Sequence, residues 1–235
     1  MLLIVRWQGS GTGRSALSPS GLRQSVQPSC HLILSDPARV GSYGPTWCPE
    51  RSPTCAHELW HDFVMAVSVR VATPEDAAAV GEVHAESWRV GFADRFTADE
   101  LARAIQRRRR MWSGVMAHDG FPLSSLLVAE DTEAIIGFLH LGPARERTGD
   151  GEIYALYLVP RVWGGRAAHL LMDEALLRLS AQGFDRAILW THGEGRAATF
   201  YNKTGWQLTG RQRYEDLGDD LRALVVEYEH PLIDA

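Results

Sequence analysis

The chain has 235 residues, 45% of them hydrophobic and 23% charged, with a formal net charge of -5. That length suits one domain of ordinary size, or one domain with a tail, and the balance is that of a globular protein able to bury a core. The negative charge argues against nucleic acid as the main partner, and no run of 18 apolar residues exists to span a membrane.

Residues 1 to 64 read differently from the rest. They hold six of the eleven Pro, nine Ser, six Gly and all three Cys (Cys30, Cys48, Cys55), with no sustained helical or strand period. Such a segment cannot easily bury enough apolar surface to offset its ordering entropy. Met65-Ala66-Val67-Ser68-Val69-Arg70 then reads like a chain start entering a first strand. The expectation is a disordered or wrongly assigned extension over 1–64, with Met65 as the physiological initiator of a single domain over 65–235. Leu2-Leu3-Ile4-Val5 is too short for a signal sequence, which points to the cytoplasm. Gly9 to Ser15 is glycine-rich but lacks the G-x-x-x-x-G-K-[ST] spacing and the Lys of a phosphate loop. His57-Glu58-Leu59-Trp60-His61 satisfies H-E-x-x-H, which on a helix would set two imidazoles on one face to bind zinc with Glu58 as base. That segment is barely two turns long between a Pro-rich stretch and a strand, so no metal site is expected. The cysteines lack C-x-x-C spacing and read as free thiols.

From Val67 the pattern becomes regular. Val67, Val69 and Val71 alternate with Ser68 and Arg70, as in a half-buried strand. Thr73-Pro74-Glu75-Asp76 supplies an N-cap, a first-turn Pro and an acidic first turn for a helix with Val80, Val83, Ser87-Trp88 and Val90 inward. Thr97-Ala98-Asp99-Glu100 opens a second helix with Leu101, Ile105, Trp112 and Val115 at helical spacing. The basic run Arg107 to Arg110 spreads around that helix and reads as a solvated face, Arg108 laying its stem over apolar neighbours. Leu126 to Ala129 and Ala134 to Leu141 form a hairpin about Glu130 to Glu133.

Ile153 to Val159 is an apolar run suited to a strand buried on both faces, and Pro160 stops it. Behind it come Trp163-Gly164-Gly165-Arg166-Ala167-Ala168 and a helix carrying Leu170, Leu171, Ala175, Leu176 and Leu179, ended by Gln182-Gly183. A strand feeding through a glycine turn into a helix start leaves backbone N–H groups unpaired at the positive end of the dipole, a site for a phosphate-bearing ligand. At these residues the chain resembles the GNAT superfamily of N-acetyltransferases, in the P-x-x-W-G form of many bacterial members. In that family a Val-x-Pro-like strand end, a Q/R-x-x-G-x-G/A loop and a helix hold the pyrophosphate and pantetheine of acetyl-CoA. The loop here is one residue shorter, which pairs Gly165 and Ala167 with the small-residue positions and puts Trp163 where Gln or Arg is common. The resemblance implies acetyl-CoA as co-substrate, held by Trp163, Gly164, Gly165, Arg166, Ala167 and Ala168. It also implies that backbone groups of Leu158 and Val159 pair with the pantetheine amides, and that one N–H there serves the oxyanion.

Asp185 to Trp190 is the next strand, Gly193 to Lys203 the next helix, and Leu221 to Tyr228 a closing strand. The order β-α-α-β-β-β-α-β-α-β is a mixed α/β (α+β) fold with a largely antiparallel sheet flanked by helices and one parallel crossover. It is the GNAT order, and the resemblance covers Val67 to about Pro231. Ala198 to Trp206 resembles the family's F-Y-x-x-x-G-[FW] segment, which makes Tyr201 the acid that returns a proton to the leaving thiolate. Glu152 opens a segment similar to the family's E-[IL]-Y-A-[IL]-Y and is the base candidate, since a lysine-like amine of pKa about 10.4 arrives protonated. Where relatives carry Asn in G-N-x-R/A-A, this chain has Glu194, which the resemblance makes a cofactor-binding residue; it accepts hydrogen bonds but donates none when ionised, and its charge beside the CoA phosphates calls for Arg196 as a partner.

The reading is an N-acetyltransferase moving acetyl from acetyl-CoA to a primary amine by direct attack in a ternary complex, because Cys is absent after residue 55. The acceptor is a small-molecule or peptide amine, with no nucleic acid or membrane partner, and a homodimer stays open. A catalytically silent acyl-CoA-binding or partner-binding module of the same fold is the alternative, and a zinc protease the remote one.

Overall fold

The computed structural model describes residues 67–218 and 221–232. The expected extension, the glycine-rich Gly9 to Ser15, the H-E-x-x-H segment and the cysteines lie outside the described residues. The elements run β1 (Ser68–Val71), α1 (Ala77–Gly91), α2 (Ala98–Met116), β2 (Leu126–Glu130), β3 (Ile135–Pro143), β4 (Gly151–Leu158), α3 (Ala167–Ala181), β5 (Arg186–Thr191), α4 (Gly195–Lys203), β6 (Gln207–Gly218) and β7 (Leu221–Pro231). They build one seven-stranded sheet in the order β1-β2-β3-β4-β5-β7-β6, antiparallel throughout except for β4 against β5.

Local chemistry sets the ends of the helices. Asp76 closes the first capping box, its carboxylate accepting from the Thr73 amide at 2.8 Å while Arg70 holds it from β1 at 2.6 Å. At α2 the Thr97 amide and hydroxyl both donate to Glu100, at 2.9 and 2.6 Å. The helices α1 and α2 pack together, with Gly81 so close to the Arg109 carbonyl that a Cβ there would stand 2.3 Å from it.

The middle strands read as apolar runs because both faces are covered: α1 lies against β3 and β4, and α3 against β2, β3 and β4 from the other side. Trp88, Trp112, Phe138 and Tyr157 form the aromatic part of the core, with His84 among them.

Three details differ from the sequence expectation. Val90 is 41% exposed, in the last turn of α1, where it borders a cavity instead of the core. Arg108 is not solvated: it is buried, its guanidinium sits 3.0 Å from the centre of the Trp88 ring, and it donates to the carbonyls of Ala104 and Leu217. Finally, one strand was missing. The polar stretch Gln207–Gly218 pairs with β7 as an edge strand broken by two irregularities, so neither an apolar face nor a clean period of two marks it.

Candidate active site

The sheet opens where β4 and β5 part. Although β4 has eight residues, it pairs with β5 only at Gly151, Glu152 and Ile153. Past that point β4 leans on β3 alone, with a bulge at His140/Leu141. The Val159 amide donates to the Ile136 carbonyl at 2.9 Å. Backbone groups alternate sides along an antiparallel ladder, so those of Leu156 and Leu158, paired with Leu139 and Gly137, face the gap left by β5.

Beyond β4 the chain makes a tight turn before α3. The turn spends three amides on itself: Val162 donates to Val159, Trp163 to Pro160 and Gly165 to Val162. Leu170 donates back to Arg166, which leaves the amides of Gly164, Arg166, Ala167, Ala168 and His169 without a backbone acceptor among the described residues. Gly164 takes a φ of 82° to let the chain swing into the helix, a conformation natural to glycine. Five amides free of backbone acceptors at the head of a fifteen-residue helix leave a corner of partial positive charge, which can receive an anion.

A cavity of about 670 Å³ lies beside that corner, between α3 and α4. Leu158, Trp163, Gly164, Gly165 and Ala168 line it from the β4–α3 side. His169, Arg196 and Lys203 add basic groups with no carboxylate among its lining residues, and Phe200 meets His169 edge-on at 5.1 Å across the two helices. Of the residues singled out from sequence, Trp163 and Gly165 reach the cavity, but their amides are taken by the turn. The Trp163 indole N–H donates to the Leu158 carbonyl at 2.7 Å, so that carbonyl is engaged. Leu156, His169, Thr199 and Lys203 escaped sequence reasoning: the first needs the register, the others the meeting of two distant helices.

Glu194 does not line this cavity. It is the residue before α4, makes no cap through its side chain, and borders a second cavity of about 350 Å³ with Val90, Gly91, Arg95, Trp163 and His192. No ion pair joins it to Arg196, whose guanidinium lies 5.8 Å from the Trp163 ring centre.

Tyr201 is fully buried beside Trp206 and Tyr228, and its hydroxyl has no hydrogen-bond partner among the described residues. Burial, with Tyr157 and Tyr228 nearby, pushes the phenol well above its ordinary range, so it keeps its proton at neutral pH. Phe200 is only partly buried and lines the larger cavity. Glu152 is 5% exposed and accepts the Arg145 amide at 3.0 Å. Burial raises its carboxyl, against the pull of the Arg145 amide and of the Arg145 and Arg213 charges. It stands at the closed base of the gap, six residues before Leu158, or roughly 20 Å along the strand. Among the described residues no group of three or more His, Cys, Asp or Glu could hold a metal, and no helix is long and apolar enough to cross a membrane.

Comparison with known proteins identifies the family. The Acetyltransferase (GNAT) family profile matches residues 80–206, more than half of the chain. The uncharacterized N-acetyltransferase YuaI of Bacillus subtilis (strain 168) is 27% identical over 160 residues, covering 66% of this chain and 89% of its own. Among solved structures, the paia N-acetyltransferase of Thermoplasma acidophilum, in complex with coenzyme A, superposes with a TM-score of 0.56 at 21% identity, over 71% of this chain and 99% of that one. A GCN5-related N-acetyltransferase from Rhodopseudomonas palustris superposes with a TM-score of 0.52 at 21% identity, over 72% and 99%.

Proposed function

Because the chain belongs to the GNAT family of acetyltransferases, we propose that it moves an acetyl group from acetyl-CoA to a primary amine by direct attack in a ternary complex. The observation that carries this is the freed edge of β4. Beyond Ile153 the strand offers the Leu156 and Leu158 backbone groups to a gap that ends at five unpaired amides. An extended amide-bearing chain adds to such an edge as a strand would, and a diphosphate is matched by the amides and the basic His169, Arg196 and Lys203. The Leu156 amide is the donor best turned toward a thioester oxygen in the gap, where charge develops during transfer.

Tyr201 gives its proton to the leaving thiolate, and Glu152, through water, takes one from the attacking nitrogen. The acceptor is a small-molecule or peptide amine entering from the α1 side, opposite α3. The reading is tested by thermal denaturation with coenzyme A, followed by thiol release from acetyl-CoA over a panel of amines. Ligand at a hundredfold over its dissociation constant raises stability by about 2.7 kcal/mol, and no shift would defeat the proposal.

One observation favours a second reading. The Trp163 indole already holds the Leu158 carbonyl, which a bound pantetheine amide would need. If coenzyme A stabilises the protein but no amine turns over, a silent acyl-CoA-binding module is the better description.

A further inference from the structure

The smaller cavity contains a buried histidine that the reaction outlined above does not use. His192 follows β5, is 8% exposed, and lines the 350 Å³ space with Val90 and Gly91 from α1, Arg95 from the α1–α2 connection, and Trp163. Trp163, Gly195 and Arg196 also line the larger cavity, so the two spaces adjoin. The parallel register pairs Gly151 with Ala187 and Ile153 with Leu189. Carried three residues further, it sets His192 level with Leu156, whose amide faces the gap. Side chains alternate along a strand, which puts His192 on the face of Ile188 and Trp190, where its ring meets Phe92 of the α1 end edge-on at 5.6 Å.

The state of the ring is defined by its neighbours. Nε2 has no hydrogen-bond partner among the described residues, although the ring is buried. The Leu224 carbonyl approaches the ring from β7. A carbonyl only accepts, so the proton of the neutral imidazole sits on the nitrogen facing it and the other nitrogen carries a lone pair. Burial first, and then the Arg95 charge, hold the imidazole below its ordinary value of 6.5, with the Leu224 carbonyl pulling the other way. The remaining charged groups around the cavity are Glu194 and Arg196. A neutral imidazole with an unpartnered lone pair, in the wall of a cavity that adjoins the transfer site, is a proton acceptor in the neutral range.

Proton counting calls for such a group. An amine that arrives as an ammonium must lose two protons to become an amide, and Glu152 accounts for one. We propose that His192 is a further catalytic residue, taking the first proton from the ammonium group of the acceptor as it docks in the smaller cavity. The proposal rests on the acetyl-transfer reading and deepens it. The ammonium N–H bond breaks as an N–H bond forms on the imidazole, and the freed nitrogen pair attacks the thioester carbonyl. The C–N bond forms and the C–S bond breaks, with Tyr201 protonating the thiolate sulfur. The second nitrogen proton passes to Glu152 and on to the Tyr201 oxygen, and the imidazolium releases the first to solvent. The balance is one ammonium and one thioester giving one amide, one thiol and one proton.

The test uses n-butylamine, 1,4-diaminobutane, glycinamide and a lysine-containing peptide as acceptors, continuing with whichever reacts fastest. His192→Asn and His192→Gln should keep the stabilisation by coenzyme A and lose about 100-fold in kcat/KM at pH 7. Deprived of the base, they depend on the free amine, so their kcat/KM climbs about tenfold per pH unit toward the amine pKa. The wild type levels off above the imidazole titration, and the deficit closes to within severalfold by pH 9. A deficit independent of pH, or none at all, overturns the proposal. So does an acid limb that Glu152→Gln removes and the His192 variants retain. If neither His192 variant folds, the acid limb of the wild type must coincide with the titration of His192 followed by NMR in the intact protein, and a mismatch overturns it. Wild-type turnover with unaltered pH profiles in the variants defeats the His192 assignment alone; no turnover of any amine defeats the acetyl-transfer reading with it.

Discussion

At the scale of single residues, burial decides what each ionisable group can do. Glu152 costs the fold something in its charged form, because its folded pKa is raised above the unfolded value of 4.5 by desolvation. Above that value the unfolded chain holds its charge more cheaply, so replacing Glu152 by Gln should leave stability at pH 7 unchanged or higher, the amide oxygen still accepting the Arg145 N–H. The same variant should lose turnover, and denaturant titration beside steady-state rates reads both; a destabilised, fully active protein would contradict the assignment. Tyr201 is the opposite case, a hydroxyl buried with no partner. Tyr201→Phe removes only that oxygen, so we expect kcat to fall by about 100-fold with melting temperature held or raised. Both residues are singled out in the sequence by the motifs they sit in. The freedom of the Tyr201 hydroxyl was not, since it depends on Trp206 and Tyr228 closing around the ring from other elements.

At the scale of elements, the strongest local signals were caps and apolar periods, and these produced the elements expected of them. The box at Thr97 and Glu100 starts α2 at Ala98 because two reciprocal hydrogen-bond partners satisfy the first turn. Thr97→Ala should therefore cost about 1 kcal/mol, measured by chemical denaturation, with no change in coenzyme A affinity, because the cap borders neither cavity. The element that escaped is β6. Its residues Arg211 and Arg213 lie over Trp190 and pair with Glu227 and Glu146, so the strand is held by charge from other elements rather than by an apolar face. No period read along the chain reports that kind of support, because the partners come from β5, β7 and the β3–β4 connection.

At the scale of the whole molecule, stability and function both depend on what the sheet brings together. Burial holds His140 at a pKa of about 3, below its ordinary 6.5, and His84 is lowered in the same sense. Both are neutral when folded and charge when the chain unfolds, so stability should fall as pH drops below 6.5, by up to about 1.4 kcal/mol per pH unit for each proton taken up. Denaturation at pH 7 and pH 5 measures this, and His140→Phe should flatten the dependence. A stability unchanged between those values would show that neither imidazole is held neutral. Taken alone, the sequence determined the class of fold, most element boundaries and the turn that heads α3, because caps, periods and short motifs act between residues near each other in the chain. Only the tertiary structure decided which edge amides stay free, that Trp163 engages the Leu158 carbonyl, and that His192 stands level with Leu156. Those facts follow from strands parting beyond Ile153 and from helices meeting across the sheet, and no spacing along a chain encodes a contact between segments that only folding places side by side.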